Sequence, residues 1–254
     1  MKENLLGPVR LALRGTGLVL VVIWGILIGL LLAVLHAGGP RLRDRVLHPI
    51  ARHWFRCVLR VMGVRRKIMG QPAKGPVLIA ANHISWLDIA VLGAHVGAGF
   101  VSKSEVANWP VVGWLARQGG TLFIHRGKHE SAEHIAHDMT GRLATGNPVL
   151  LFPEGTTSDG TQVRRFKNRL FQPALHANVP VQAVSIRYTR GNEPVDPVAY
   201  VEGVSLRTSV LGVLRRAHTE VNITWCEPFP VAGRERRDIA VEAERQVAAA
   251  LVAP

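Results

Sequence analysis

The chain has 254 residues, 48% of them apolar and 19% charged. That is enough for one full core with an appendage, and it excludes a disordered chain. Lys and Arg total 31 against 18 acidic residues, a formal charge of +13, which attracts a polyanion: nucleic acid, an anionic membrane or acidic substrates.

The first element is the run Leu18–Leu35, "LVLVVIWGILIGLLLAVL", with no charge and no proline. As a helix it is about 27 Å long, close to the hydrocarbon thickness of a bilayer. A cleaved signal peptide has a shorter apolar core and a small-residue cleavage site, whereas this run continues into the basic "HAGGPRLRDR". A retained membrane helix is therefore expected. Lys2, Arg10 and Arg14 precede it, and Arg41, Arg43 and Arg45 follow it, so a full span and a helix lying in one leaflet both stay open. Gly25 and Gly29 form a GxxxG, which is a dimerisation motif in some membrane helices and ordinary composition in others.

"HAGGPRLRDR" is expected to be a linker. The segment after it, Val46–Val64, has helical apolar spacing, with Arg52, Arg56 and Arg60 forming one stripe. It reads either as an interfacial helix whose arginines meet lipid phosphates or as a surface helix. The resulting division is an anchor and linker over 1–45, an amphipathic helix over 46–66 and a main domain over 67–254.

From about Lys67 short apolar runs alternate with helical stretches. Strands are expected at "PVLIAA", "GFVS", "GTLFIH", "PVLLF", "VPVQAVSIRY" and "EVNITWC". Helices are expected at Asp88–Val96, Glu105–Gln118, Glu130–Ala144, Phe171–Ala177 and Arg237–Val252. This predicts an α/β fold with a mixed, mostly parallel sheet covered by helices. The two cysteines, Cys57 and Cys226, lie in no CxxC or CxxH pattern and read as free, buried thiols of a reducing compartment.

Ligands of open α/β sheets gather at the carboxyl ends of strands. Three polar clusters fall there: "NHISWLD" after "PVLIAA", "HRG" after "GTLFI" and "PEGTTSDG" after "PVLLF". Five residues along a helix turn through about 500°, so His83 and Asp88 meet only if His83 lies in the turn before a helix and Asp88 in its first turn. Joined so, the carboxylate fixes the imidazole tautomer and leaves the other ring nitrogen as a general base for a hydroxyl. Otherwise the two are a helix cap and a favourable N-terminal charge. Ser85 stands too near His83 to be served by it as a nucleophile. In "FPEGTTSDG" a carboxylate, a glycine and hydroxyls suit a polar ligand or a plain turn. Arg126 suits a phosphate, a carboxylate or a surface ion pair.

In this order the clusters resemble the glycerolipid acyltransferases typified by bacterial 1-acylglycerol-3-phosphate acyltransferase. "NHISWLD" matches the family's NHxxxxD motif at Asn82, His83 and Asp88, "GGTLFIHRG" places Arg126, "FPEGTTS" is similar to FPEGTRS, and "VPVQAVSI" is similar to a fourth motif centred on Pro180. The resemblance runs from about Gly75 to Tyr188. It implies that His83 deprotonates an acceptor hydroxyl, Asp88 orients His83, and Arg126, Glu154, Gly155 and Thr156 hold the acceptor. It further implies a thioester co-substrate on acyl carrier protein or coenzyme A, membrane-lipid partners, no metal, cofactor or nucleic acid, and a catalytic domain on the cytoplasmic side of the inner membrane. Thr157 stands where the family has arginine, which leaves phosphate contacts to Arg164 or Lys167, or an acceptor without a phosphomonoester. Lysophosphatidate, acylated to phosphatidic acid in phospholipid biosynthesis, is placed first, with the lyso-ornithine lipid branch as the alternative.

Two rival classes are weaker. A metal hydrolase would have to use His134, His137 and Asp138, whose spacing is not HExxH. A non-enzymatic lipid-binding protein has no need of the His83–Asp88 pair.

Overall fold

The structure, a computed structural model, describes residues 6–35, 40–124, 129–189, 198–200 and 203–252. Two helices lead, α1 (Gly7–Leu35) and α2 (Pro40–Val61), followed by β1 (Val64–Met69), β2 (Leu78–Ala81), α3 (Leu87–Gly93) and β3 (Gly99–Lys103). Then come α4 (Ser104–Ala107), α5 (Val112–Gln118), β4 (Leu122–Ile124), α6 (His129–Ala144) and β5 (Val149–Leu151). A single 3-10 turn (Asn168–Phe171) leads into α7 (Gln172–Ala177), β6 (Val181–Thr189), α8 (Leu206–Arg215), β7 (Thr219–Trp225) and α9 (Arg236–Val252).

The strands form one sheet in the order β1-β7-β6-β2-β5-β3-β4. Every neighbouring pair is parallel except β6–β7, so the expected mixed, mostly parallel sheet is found. The central strands β2 and β5 are apolar throughout because both faces are covered, while β6 adds the buried polar side chains of Gln182 and Ser185. Ile79 and Ala81 of β2 and Val184 and Ile186 of β6 face a core closed by α2, α3 and α8. Their alternate neighbours Leu78, Ala80, Val181 and Ala183 face a second core under α6, α7 and α9.

Several boundaries differ from expectation for local reasons. Residues 64–66 belong to β1 and not to the amphipathic helix. "VRRKIM" is an exposed edge strand, and charge on an edge strand blocks pairing with other chains while hiding the strand's alternation. The expected linker shrinks, because Pro40 opens α2 and Arg41–Arg45 lie within it; proline is pre-organised for a first helical position. The single helix expected over Glu105–Gln118 breaks at Pro110 into α4 and α5. The helix α8 was not anticipated, although Ser205 caps it by accepting from Thr208 N at 3.1 Å.

The apolar helix α1 is longer than the run that marked it and lies along the domain. Arg14 donates to the carbonyl oxygens of Arg216 (2.7 Å) and Ala217 (2.9 Å), past the end of α8. Trp54 of α2 donates from Nε1 to the Val21 carbonyl at 2.8 Å. Further along, a Cβ on Gly25 would fall 2.6 Å from Trp54 and one on Gly29 would fall 2.6 Å from Trp114. The GxxxG pair therefore seats two tryptophans of its own chain. The opposite face of α1, including Leu13, Leu20, Leu27 and Val34, is exposed and apolar.

Candidate active site

The site begins where β2 ends. Ala81 is the last β2 residue paired with β6, opposite Val184. Asn82 extends that pairing with its side chain: its Nδ2 donates to Ile186 O at 2.9 Å and its Oδ1 accepts from Ile186 N at 2.7 Å. The backbone is thereby freed to swing into the turn that carries His83, without leaving a buried strand group unpaired.

His83 sits in this turn and Asp88 in the first turn of α3, and the two meet. His83 Nδ1 lies 2.8 Å from Asp88 Oδ2. The same oxygen accepts from Ile84 N (2.8 Å) and Ser85 N (2.9 Å), while Asp88 Oδ1 accepts from the Tyr188 hydroxyl at 2.7 Å. Asp88 is fully buried, so four donors replace water around its carboxyl group. The amides it holds precede α3, so the contact shapes the turn and is not an ordinary helix cap. With an acceptor on Nδ1, that nitrogen carries the imidazole proton and Nε2 offers a lone pair. The His83 ring stacks on Phe152, with centroids 4.0 Å apart and planes 16° from parallel, and its side chain is 19% exposed. Ser85 is buried and accepts from Leu87 N at 3.4 Å, a bond within the turn.

The "FPEGTTS" cluster grips the His83 peptide from both ends. Glu154 Oε1 accepts from His83 N at 3.3 Å, and Ser158 N donates to His83 O at 2.8 Å. Glu154 is 4% exposed and its Oε2 has no hydrogen-bond partner among the described residues. Burial pushes its carboxyl pKa up to about 8, against the lowering effects of the His83 amide and the Arg164 charge. Gly155 has φ +73°, and a Cβ there would fall 2.4 Å from the Lys167 ammonium. Only glycine lets the turn and the lysine share this space. Thr156 and Thr157 are half-buried, and Arg164 and Lys167 are exposed. The Thr157 hydroxyl donates to the carbonyl of Tyr200, whose own N–H donates to Ile84 O at 2.8 Å. Residues 198–200 thus tie the first cluster to the third.

Arg126 and the rest of "HRG" lie outside the described residues. His134 and His137 are exposed side chains of α6. Three contributors were missed in the sequence: Tyr188, Phe152 and Tyr200. Tyr188 carried a readable signal, because a tyrosine in a strand buried on both faces needs a partner for its hydroxyl. The other two depend on chain crossings that no local pattern encodes.

A buried carboxyl group behind the imidazole of a partly exposed histidine, at the strand ends of an α/β sheet, defines a general-base transferase or hydrolase. The family model for Acyltransferase matches residues 64–187. The lyso-ornithine lipid O-acyltransferase of Pseudomonas aeruginosa is 37% identical over 202 residues, covering 80% of this chain and 78% of that protein. The 1-acyl-sn-glycerol-3-phosphate acyltransferase of Neisseria meningitidis is 36% identical over 169 residues, covering 65% and 64%. The fold is shared with the crystal structure of the 1-acyl-sn-glycerophosphate acyltransferase PlsC from Thermotoga maritima, with a TM-score of 0.73 at 20% identity over 98% of this chain and 94% of that one. The chain belongs to the acyltransferase family, as its motifs led one to expect, and is an acyltransferase of lipid biosynthesis.

Proposed function

We propose that this enzyme moves a fatty acyl group from a thioester of acyl carrier protein or coenzyme A to the hydroxyl of lyso-ornithine lipid, at the cytoplasmic face of the inner membrane. His83 Nε2 takes the proton from the acceptor hydroxyl as its oxygen attacks the thioester carbonyl. The tetrahedral intermediate collapses to the new ester and expels the thiolate, which takes up the proton that His83 carries. Asp88 holds the tautomer and stabilises the imidazolium between these steps. No acyl-enzyme is needed. Arg126, Gly155 and Thr156 are assigned to the acceptor, and Glu154 to holding the His83 turn as well as bordering the acceptor. The cytoplasmic placement follows from the donors, which are cytoplasmic thioesters.

The observation that carries the acceptor assignment is at Thr157. A threonine there lacks the planar fork that grips a phosphomonoester, and its hydroxyl is committed to the Tyr200 carbonyl. A relative named for lyso-ornithine lipid matches over more than three quarters of both chains, which supports the same choice. This reverses the order expected from sequence. Lysophosphatidate remains the second reading, favoured by Arg164 and Lys167 beside Glu154 and Gly155. The test is the ratio of kcat/KM for the two acceptors with purified wild-type protein, and a strong preference for lysophosphatidate rejects the first reading.

A further inference from the structure

A pocket of about 330 Å³ lies apart from the His83 site, and its walls come from four parts of the chain: Arg14 of α1, Arg56 and Arg60 of α2, Arg65 and Arg66 of β1, and His218 before β7. It stands at the outer edge of the sheet. β1 is three strands from β2, about 14 Å at ~4.8 Å per strand, so the pocket shares no residue with the catalytic constellation.

Two of these arginines have internal work. Arg14 is spent on the carbonyls past the end of α8, and Arg56 Nε donates to Ala94 O at 3.0 Å. Gly63 makes the first of these contacts possible, since a Cβ there would fall 2.3 Å from the Arg14 guanidinium. Arg60 and Arg65 are exposed. Among the described residues no carboxylate forms an ion pair with Arg56, Arg60, Arg65 or Arg66, and the nearby acid Glu220 is paired with His218 at 3.1 Å. Burial, then Arg56 and Arg60, lower the pKa of Arg66. His95, 3.5 Å from Arg66, has its pKa lowered to about 4 by burial and then by Arg66 and Arg56, so it adds no charge near neutral pH. Arg56, Arg60 and Arg66 lie within electrostatic reach of one another, with Arg65 on the same pocket wall, and such a cluster without a counter-ion forms a site for a phosphate-bearing anion.

The surroundings choose the source of that phosphate. Val9 and Leu13 of α1 are exposed apolar side chains five residues and one residue before Arg14, about 140° and 100° round the helix from it, and they begin the apolar face that runs to Val34. A headgroup in the pocket would send its acyl chains round α1 to this face. We propose that the pocket bounded by Arg60, Arg65 and Arg66 binds the phosphate of one anionic membrane phospholipid, separately from the lipid being acylated. The inference does not depend on which acceptor the enzyme uses.

Full-length protein in neutral detergent, without acyl donor, is titrated with phosphatidylglycerol labelled on its acyl chain, with labelled phosphatidylcholine as the reference. Wild type should bind phosphatidylglycerol saturably and more tightly. Arg60→Ala with Arg65→Ala should weaken that binding by about thirtyfold, the equivalent of ~2 kcal/mol for two arginines at ~1 kcal/mol each, and leave phosphatidylcholine binding and turnover of detergent-dispersed acceptor unchanged. Arg60→Lys with Arg65→Lys should recover most of the loss. The matched double change Arg236→Ala with Arg237→Ala, at the start of α9 under the opposite face of the sheet, should have little effect. Equal losses in the two alanine pairs would reduce the effect to net charge and overturn the site. Displacement of the labelled lipid by equimolar inorganic phosphate would assign the pocket to a soluble anion and overturn the lipid source.

Discussion

The hydroxyl of Tyr188 donates to Asp88 Oδ1 at 2.7 Å, joining the end of β6 to the first turn of α3 across a hundred residues of chain. Asp88 Oδ2 meanwhile faces His83, so the tyrosine and the histidine grip opposite oxygens of one carboxyl group. Tyr188 thus positions the group that positions the base. Tyr188→Phe removes one bond of a kind worth ~1.5–3 kcal/mol when the partner is charged. Part of that should reach the transition state, lowering kcat roughly tenfold at ~1.4 kcal/mol per decade, with KM for the acceptor little changed. An equal loss in kcat and gain in KM would mean that Tyr188 shapes the acceptor pocket instead.

His83→Ala should abolish acyl transfer, because among the described residues no other side chain occupies the place of Nε2, while the melting temperature stays near that of wild type. Asp88→Asn tests the charge more finely. The amide oxygen in the place of Oδ2 can still accept from His83 Nδ1, Ile84 N and Ser85 N, and the NH2 group then donates to the Tyr188 oxygen, so the turn and the tautomer survive while the negative charge beside the imidazolium is lost. In serine proteases, where the corresponding change also imposes the wrong tautomer, it costs ~10⁴ in kcat, and a loss of tenfold or more is expected here. A loss below tenfold would reduce Asp88 to a turn-forming residue.

What the sequence showed of the site was what a strand end and a five-residue interval encode. His83 and Asp88 could be paired before any fold was known, because only one local geometry lets them meet. The clamp that "FPEGTTS" places on the His83 peptide was not legible, because contacts of the Glu154 carboxyl and the Ser158 amide with the His83 main chain span more than seventy residues and leave no local pattern. The central strands β2 and β5 were legible because burial on both faces demands continuous apolar runs. The edge strand β1 was not, since Arg65 and Arg66 make its start read as part of the basic helix before it. The contact of α1 with the domain lay hidden for a related reason: a glycine that seats a tryptophan and a glycine that seats a second helix are the same letter.

Gly25→Leu separates those two uses of glycine. The new side chain would collide with Trp54, whose Nε1 is committed to Val21 O. Overpacking of this kind costs ~1–3 kcal/mol. The melting temperature in detergent should fall by several degrees and proteolysis between α1 and α2 should become easier, with the oligomeric state by light scattering unchanged. A change in oligomeric state at constant melting temperature would restore the GxxxG pair as a dimer contact.

Glu154 predicts a pH dependence of stability. Its folded pKa is raised to about 8 from 4.5. Below pH 4.5 both folded and unfolded states carry the protonated carboxyl and nothing is lost. Between about pH 4.5 and 8 the unfolded state ionises while the folded state stays protonated, so this group's contribution to stability declines as pH rises, by up to ~1.4 kcal/mol per unit. Glu154→Gln keeps the shape and accepts from His83 N without ionising. Its melting temperature relative to wild type should therefore climb from pH 5 to pH 8, and parallel curves over that range would show that the Glu154 carboxyl ionises normally in the folded protein.

Thr157 gives the sharpest test of the acceptor. Its hydroxyl holds the Tyr200 carbonyl, and Tyr200 N holds Ile84 O, so residue 157 anchors residues 198–200 to the turn that carries His83. Thr157→Ser keeps the hydroxyl and should be near neutral. Thr157→Val removes the bond, which is worth ~0.5–1.5 kcal/mol, and should raise KM for any acceptor by a few-fold without changing the preference between acceptors. Thr157→Arg gives up the same bond but adds a charged fork, whose contact with a phosphate is worth ~1.5–3 kcal/mol. The ratio of kcat/KM for lysophosphatidate over lyso-ornithine lipid should then rise by roughly 10- to 150-fold, even if absolute rates fall with the loosened Tyr200 segment. The valine variant supplies the correction for that loosening. Should the ratio stay constant in Thr157→Arg while Arg164→Ala or Lys167→Ala lowers it, the phosphate is held from the following segment, and the enzyme is a lysophosphatidate acyltransferase whose threonine serves Tyr200 alone.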